Sequence, residues 1–193
     1  MQILSPATYG SLREAISYSH TASTPVAIRY PNSTESAEVV EAFYKDGNYS
    51  NLGIRCDFDD DNVPQHIFIA YGNTVELALG AKALLRSRGV EDVGVILVEQ
   101  IKPYADPVSR IAQLISRARQ VVYVEEGIKN GGAAMITRSM LEDMGFDFDK
   151  TKFSVCAIDD DFVIPDTVTD MYTHAGISPS CLADAMSGSE RKI

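Results

Sequence analysis

Four short β-rich runs, separated by segments of helical spacing, constrain the fold of this chain more than any other feature. The runs read HIFIAY, VGVILV, VVYV and FSVCAI, and they lie between His66 and Ile158. Strands that alternate with helices form a parallel sheet whose right-handed crossovers cover both faces. The chain is therefore predicted to be an α/β three-layer sandwich built on a mostly parallel sheet of five strands.

The fifth strand is predicted at GIRCDF, residues 53–58, just before these runs. The short acidic turn CDFDDDN ties it to HIFIAY, so we expect it to form one antiparallel edge of the sheet. The acidic tract also invites comparison with a calcium-binding EF-hand loop beginning at Asp57. Such a loop needs glycine and glutamate at the places that Asn62 and Phe68 occupy, so we interpret the tract as a solvated turn.

Two crossover helices are predicted from residues that commonly begin and end helices. Asn73 as N-cap, followed by Glu76, resembles a capping box, and Gly89 marks the end of that helix. Asp106 as N-cap and Pro107 at the first helical position mark the second helix. Because both segments repeat apolar residues along one face, we expect them to pack against the sheet.

The composition argues against several classes of protein. Of the 193 residues, 45% are hydrophobic, which is enough for one core, and the formal net charge is −10. A chain this acidic is not expected to bind nucleic acid, because phosphate contacts need clustered lysine and arginine. No apolar run is long enough to cross a bilayer, and the first residues lack a secretory leader pattern. We therefore expect a cytoplasmic protein without a membrane partner.

Cysteine and histidine are too scattered to suggest a metal site. Cys56, Cys156 and Cys181 show no C-x-x-C spacing, which argues against a disulfide framework or a zinc site. The histidines are equally isolated along the sequence. No metal-binding residue is predicted.

The N-terminal segment is predicted to form a strand, a helix and a strand, at MQILSP, SLREAISYSH and PVAIRYP. Such a unit is too small to bury both faces of a sheet, so it must dock on the following domain or on another part of the protein. Residues 32–52 are polar at both ends and are interpreted as a linker. We expect a domain remnant at residues 1–31 and the main domain at 53–193, so that the chain starts inside a domain.

The stretch VVYVEEGIKNGGAAM holds the candidate site residues Glu125, Glu126, Gly131 and Gly132. The glutamates lie at the carboxyl end of a predicted parallel strand, where α/β sheets usually bind ligands. Alternation points neighbouring strand side chains in opposite directions, so the pair is not expected to act as acid and base. The glycines could bring backbone amides to a phosphate, but the G-x-G-x-x-G and Walker patterns are absent. We favour a tight strand-to-helix turn or an interface over a catalytic site.

The order of several segments resembles the C-terminal third of the 1-deoxy-D-xylulose-5-phosphate synthases, transketolase-type enzymes that use thiamine diphosphate. The segments are PVAIRYP, IFIAYGNTVELALGAKALL, VILVEQIKP, VVYVEEGIKNGG, and IDDDFVIP before HAGIS. The VEEG…GG and KP elements are shared with other transketolase-like proteins, whereas AIRYP favours the synthase branch. The resemblance extends over nearly the whole chain.

This resemblance implies that residues 1–31 end a pyrimidine-binding domain and that residues 53–193 form a transketolase C-terminal domain with a scaffold and dimer-interface role. It implies a parent transferase of isoprenoid precursor and thiamine biosynthesis that uses thiamine diphosphate and Mg²⁺. The family's cofactor-binding residues lie upstream, so this chain alone is expected to bind no cofactor, to carry no catalytic residue and to be inactive. The implied partners are the missing catalytic domains or a separate subunit, in a homodimer. The alternative is a non-catalytic α/β binding or assembly subunit.

Two departures from the family pattern leave the acceptor substrate open. The family typically reads RYPRG, and the second arginine helps to hold the acceptor phosphate, whereas this chain reads RYPNS with Asn32 at that place. A neutral amide cannot supply the forked, charge-assisted contact that arginine gives a phosphate. Upstream of the KP element the family often has arginine, where this chain has Glu99. By resemblance, Arg29 and Asn32 are the candidate substrate-binding residues.

Overall fold

The computed structural model describes residues 1–188. In chain order, their strands are β1 (Gln2–Leu4), β2 (Val26–Ile28), β3 (Ile54–Cys56), β4 (His66–Ala70), β5 (Val93–Val98), β6 (Gln100–Lys102), β7 (Gln120–Ile128) and β8 (Lys152–Ile158). Their α-helices are α1 (Tyr9–Thr21), α2 (Ala37–Phe43), α3 (Thr74–Ser87), α4 (Ala105–Ile115), α5 (Ala133–Asp143), α6 (Val168–His174) and α7 (Pro179–Ser187). The last five residues of the predicted 53–193 domain lie outside the described part of the chain.

The main sheet has five strands in the order β3-β5-β4-β7-β8, and this confirms the predicted α/β fold class. Strands β5, β4, β7 and β8 are parallel to one another, and β3 is the antiparallel edge strand. The edge strand pairs with β5 and not with β4, its neighbour in sequence. Strand β4 is central, because β5 and β7 already occupy both of its edges.

Helices cover both faces of this sheet, and each face has its own apolar core. On one face, α2, α3 and α7 pack over side chains such as Phe68, Val95 and Val122. On the other face, α4 and α5 pack over side chains such as Ile96 and Tyr123. All six residues of β5 are buried, as expected for a strand covered on both faces. The three-layer arrangement is therefore confirmed.

The first crossover helix lacks the predicted capping box. Asn73 does precede α3, but it has helical backbone angles and its side chain makes no capping hydrogen bond. Instead, the Thr74 hydroxyl donates to the Tyr71 carbonyl at 2.8 Å and holds the turn before the helix. Gly89 ends this segment, as predicted, with a φ of 86° that favours glycine.

The second crossover helix begins earlier than predicted, because its N-cap is Tyr104 and not Asp106. Tyr104 is only 8% exposed, and its hydroxyl lies 2.7 Å from the Tyr123 hydroxyl. This buried contact anchors the chain at Tyr104, so Asp106 and Pro107 fall within the first helical turn. The local capping signal was overridden by a tertiary contact.

The acidic turn after β3 is less solvated than predicted. The Asp57 side chain is only 5% exposed; it accepts a hydrogen bond from Lys82 Nζ at 2.6 Å and another from the Val95 amide at 2.8 Å. Residues Asp60–Asn62 form an exposed 3₁₀ turn. Asp57 thus links the edge strand to α3 and β5.

A second, smaller sheet joins the N-terminal segment to the main domain. Its order is β2-β1-β6, with β1 parallel to β2 and antiparallel to β6. Because β6 follows directly after the main-sheet strand β5, the N-terminal unit of β1, α1 and β2 docks on the following domain. This is one of the two possibilities that the sequence left open.

The segment at residues 32–52, interpreted as a linker, contains α2. Val39, Phe43 and Tyr44 are buried in the same core as α3. This segment therefore packs as part of the main body while it connects the N-terminal unit to β3. No helix within residues 1–188 is both long and apolar enough to span a bilayer.

Candidate functional site

The candidate site lies at the carboxyl ends of β2, β4 and β7. Tyr71 and Asn73 follow β4, and their side chains reach Glu125 and Glu126 near the end of β7. Arg29 follows β2 directly and its charge acts on both Tyr71 and Glu125. Residues from the N-terminal unit and from the main sheet thus meet at one edge.

Glu125 is completely buried and its carboxylate is fully engaged. It accepts hydrogen bonds from the Tyr71 hydroxyl at 3.1 Å and from the Ala133 and Ala134 amides at 2.9 and 3.3 Å. These amides begin α5, where the helix dipole favours a negative charge. Burial raises the pKa of Glu125 above the ordinary glutamate value, while the hydrogen bonds and the Arg29 charge oppose the rise.

Glu126 points to the other side of β7 and is exposed. The Tyr172 hydroxyl of α6 donates to Glu126 Oε1, and Asn73 Nδ2 lies 3.4 Å from Oε2. Burial, together with this carboxylate, raises the pKa of Tyr172. Because the two glutamates serve different helices on opposite sides of the strand, the structure does not bring them together as an acid and base pair.

Gly132 is the residue that lets Glu125 reach α5. A Cβ atom at this position would lie 2.2 Å from Glu125 Oε1 and 2.8 Å from the Ile128 carbonyl oxygen. Both distances are far below van der Waals contact, so a larger residue would displace the carboxylate. The neighbouring Gly131 has a φ of 85°, which allows the sharp turn between β7 and α5.

A buried chain of hydroxyl groups lies on the α4 and α5 side of the sheet. The Tyr104 and Tyr123 hydroxyls are 2.7 Å apart, and the Tyr104 hydroxyl lies 3.1 Å from Thr137 Oγ1. The Thr137 hydroxyl donates its single proton to the Ala133 carbonyl at 2.8 Å, which ties this group to the first turn of α5. This group was not predicted from the sequence. Its only signal was a tyrosine within the otherwise aliphatic run VVYV.

The two candidate substrate-binding residues lie close to this edge but differ in their surroundings. Arg29 is exposed, and its amide donates to the Leu4 carbonyl of β1 at 2.8 Å. Asn32 is also exposed and lies in the loop between Pro31 and Ser33. Pro31 and Ser33 line a cavity of about 40 Å³ between the N-terminal unit and α3. The cavity has room for about three water molecules.

Glu35 occupies one end of this cavity and accepts a hydrogen bond from the Tyr9 amide. Tyr9 is the first residue of α1. The chain therefore places its own carboxylate at the positive end of that helix.

Glu99 lies in the junction between the N-terminal unit and the main domain. Its side chain is fully buried; Oε1 accepts a hydrogen bond from the Ala7 amide at 3.4 Å, and Arg55 Nε lies 3.5 Å from Oε2. The Glu99 carbonyl also accepts a hydrogen bond from the Ser5 amide at 2.6 Å. Glu99 therefore holds the start of the N-terminal unit in place instead of facing solvent.

The resemblance implies Mg²⁺ and thiamine diphosphate for the parent enzyme. Within residues 1–188, no group of three or more His, Cys, Asp or Glu side chains is placed to hold a metal ion.

Comparison with known proteins places the chain in a family. Residues 60–181, well over half of the chain, match the family described as the transketolase C-terminal domain. The fold is similar to that of a split-gene transketolase solved as an inactive β4 tetramer, with a TM-score of 0.70 and 18% identity over 98% of this chain. It is also similar to the transketolase of Campylobacter jejuni, with a TM-score of 0.62 and 15% identity over 97% of this chain.

This chain spans only part of the solved proteins that it resembles. The matches cover 57% of the split-gene chain and 26% of the Campylobacter jejuni chain. No match was found among curated proteins. Because the family match extends over more than half of the residues, this chain belongs to the transketolase C-terminal domain family.

Proposed function

We propose that this chain forms the C-terminal part of a thiamine-diphosphate-dependent, transketolase-like transferase, with 1-deoxy-D-xylulose-5-phosphate synthase as the nearest branch. The family match supports the transketolase assignment. The AIRYP motif supports the synthase branch, and its Arg29 stands at the same edge as Glu125 and Tyr71. In this proposal the chain acts as a scaffold, and other parts of the protein or a separate subunit hold the cofactor.

The observation that carries this proposal is the shared sheet β2-β1-β6. Backbone hydrogen bonds fix the end of β2, and therefore Arg29, relative to the main domain. The end of β2 and the five-stranded domain therefore belong to one folded body. A split-gene transketolase is among the solved proteins that share the fold, which supports a cofactor-binding subunit encoded separately.

Within the proposed enzyme, Arg29 is the residue that would contact a phosphorylated acceptor. It is exposed directly after β2, and a guanidinium can form a forked hydrogen bond with a phosphate. Asn32 lies three residues further along the same loop and offers only a neutral amide. The acceptor would thus be held by one arginine where the family typically has two.

The second candidate function is a non-catalytic assembly subunit, and one observation favours it. Both glutamates at the edge are engaged in structural hydrogen bonds: Glu125 with the start of α5, and Glu126 with Tyr172 of α6. Glu125 in particular is buried and held by the protein itself, so it is not available to a substrate in this arrangement.

Purification of the tagged chain from its source organism, together with whatever assembles with it, tests the proposal. The assembled protein should release CO₂ from pyruvate and join the remaining two carbons to glyceraldehyde phosphate, only when thiamine diphosphate and Mg²⁺ are present. Two-carbon transfer between sugar phosphates without CO₂ release would instead assign a transketolase. An assembly that shows neither reaction and contains no thiamine diphosphate would favour the non-catalytic subunit.

A further inference from the structure

The segment between β8 and the first turn of α6, residues 159–170, is exposed without interruption. We call it the acidic loop. Within it, Phe162 is 95% exposed, Ile164 is 75% exposed and Val163 is 39% exposed, and Pro165 follows directly. Folded monomers seldom leave several consecutive apolar residues in water, and such runs usually mark an interaction surface.

The carboxylates of this loop are not neutralised by the rest of the described chain. The loop holds five of them, at Asp159, Asp160, Asp161, Asp166 and Asp170. None of the five forms an ion pair with a lysine, arginine or histidine of residues 1–188. Their hydrogen bonds are local, such as those from the Phe162 amide to Asp161 at 2.7 Å and from the Thr167 amide to Asp166 at 2.8 Å.

The surroundings of the loop add no positive charge along the sequence. From Phe153 to Gly188 the chain contains no lysine and no arginine. In space, Lys129 and Asp159 line the same neighbouring cavity, so the five carboxylates lie near one lysine. Phe162 and Ile164 therefore stand within a surface of net negative charge, which attracts cations.

A cavity lies between the loop and α6. Its volume is about 380 Å³, and its lining includes Ile158, Phe162, Ile164, His174 and Ala175. A space of this size can receive a large side chain from another molecule. The loop thus offers both a projecting aromatic ring and a recess beside it.

We propose that the acidic loop is a docking surface for a partner protein that presents an apolar groove bordered by lysine and arginine. Charge complementarity selects this occupant. A second copy that met the loop symmetrically would set five carboxylates against five, and the chain as a whole carries a net charge of −10. An anionic membrane and a nucleic acid are disfavoured for the same reason. The inference does not depend on the reaction proposed above.

Site-specific photo-crosslinking identifies the occupant. The tagged chain is produced in its source organism with p-benzoylphenylalanine in place of Phe162, the cells are irradiated, and the adduct is sequenced by mass spectrometry. The same amino acid at Ile136, which is 49% exposed on α5, is the control position. The proposal expects an adduct, formed at 162 and not at 136, with a different protein at an apolar segment flanked by lysine or arginine.

Each other result of the crosslinking overturns the proposal. An adduct with a second copy of this chain would make the loop a self-association surface. An adduct with a lipid or a nucleic acid would name another class of ligand. Equal adducts at 162 and 136, an adduct with a partner segment that lacks basic residues, or no adduct at all would show that the loop is not such a docking surface.

Affinity for the partner identified in this way measures the two parts of the proposal separately. Phe162→Ala should weaken binding about tenfold or more, because the ring would be buried in the complex. The triple change Asp159→Asn, Asp160→Asn and Asp161→Asn should slow association and reduce its salt dependence. Asp149→Asn, at an exposed carboxylate outside the loop, is the matched control. Circular dichroism verifies that the variants fold, and equal affinities for all variants would contradict the proposal.

Discussion

Arg55 Nε lies 3.5 Å from Glu99 Oε2 in a buried pair that joins β3 to the end of β5. Neither of these two atoms has an aligned hydrogen bond within the described residues, and neither has the nearby Tyr44 hydroxyl. The Arg55 guanidinium also stacks over the Tyr44 ring, 4.4 Å from its centroid. Glu99 also accepts a hydrogen bond from the Ala7 amide. Loss of the Arg55 charge should therefore also weaken the attachment of the N-terminal unit.

Arg55→Ala is expected to destabilise the protein by about 3 kcal/mol, because it leaves the Glu99 carboxylate buried without a counter-charge. Urea unfolding followed by circular dichroism measures the change. Arg138→Ala is the control, since the Arg138 to Glu142 pair is on the surface and should contribute less than about 1 kcal/mol. Equal losses in the two variants would show that burial of the pair does not matter.

Glu99→Gln should remove part of the pH dependence of stability. Burial raises the pKa of Glu99 in the folded chain, although Ser11, Tyr44 and Arg55 oppose the rise. The folded state therefore holds this proton more tightly than the unfolded state. It follows that the free energy of unfolding decreases as pH rises from the unfolded pKa, about 4.3, to the raised folded value.

The pH prediction is checked by urea unfolding of wild type and Glu99→Gln at several pH values from 4 to 8. In the variant, the free energy of unfolding should depend less steeply on pH, because the contribution of Glu99 is gone. The contribution of Glu125, whose pKa is also raised, should remain. A slope identical to wild type would show that Glu99 has the same pKa in both states.

Gly132→Ala should destabilise the protein by about 1 to 3 kcal/mol, because the new methyl group would overlap Glu125 Oε1. A double-mutant cycle with Glu125→Ala gives the sharper test. Removing the carboxylate removes most of the overlap, so the double variant should lose less stability than the sum of the two single variants. Additive losses would show that the residues do not interact.

Asn32→Arg tests whether residue 32 contacts the acceptor in the assembled enzyme. If the acceptor is phosphorylated, the added guanidinium should lower its KM about tenfold to a hundredfold, as expected for a hydrogen bond to a charged group. If the natural acceptor is unphosphorylated, the variant should improve only the use of a phosphorylated analogue. Unchanged kinetics with matched phosphorylated and unphosphorylated aldehydes would show that residue 32 does not touch the acceptor.

The isolated chain is expected to self-associate at micromolar concentration through the outer face of α1. Tyr9 and Ile16 lie two turns apart on this helix and are 58% and 45% exposed. Light scattering should give a mass above the 21.1 kDa of one chain, and Ile16→Glu should restore that mass. Met144→Glu, at an exposed apolar residue away from α1, is the control. A wild-type mass of one chain would contradict the prediction.

The central strands β4, β5 and β7 could be predicted because most of their residues are buried, so that they read as unbroken apolar runs. Strand β6 could not be predicted from the sequence. It has three residues, Gln100–Lys102, none of them fully buried, and it forms by pairing with β1 near the N-terminus. Local patterns contain no information about such a contact. The early start of α4 escaped prediction for the same reason, since it depends on the contact between Tyr104 and Tyr123.

At the candidate site, strand alternation was enough to predict that Glu125 and Glu126 would point apart. The partners of Glu125 were not predictable, because they require Gly132 to leave space and Tyr71 to arrive from β4. The ion pair of Arg55 and Glu99 was not predictable for the same reason, since Arg55 lies in β3 and Glu99 lies between β5 and β6. The roles proposed for Arg29 and Asn32 stay predictions until the kinetic test is made.

The shared sheet of β2, β1 and β6 joins two segments that the sequence suggests are separate domains. The N-terminal unit and the main domain are therefore held together by more than the segment that connects them. Residues 46–51 are exposed except for Tyr49, and we expect a protease to cleave this loop readily. Cleavage there would break the covalent connection but not the ladder between β1 and β6, nor the packing of α2 on α3. The two fragments should therefore remain together on a sizing column and melt in one transition, so that the nicked protein still behaves as a single cooperative body.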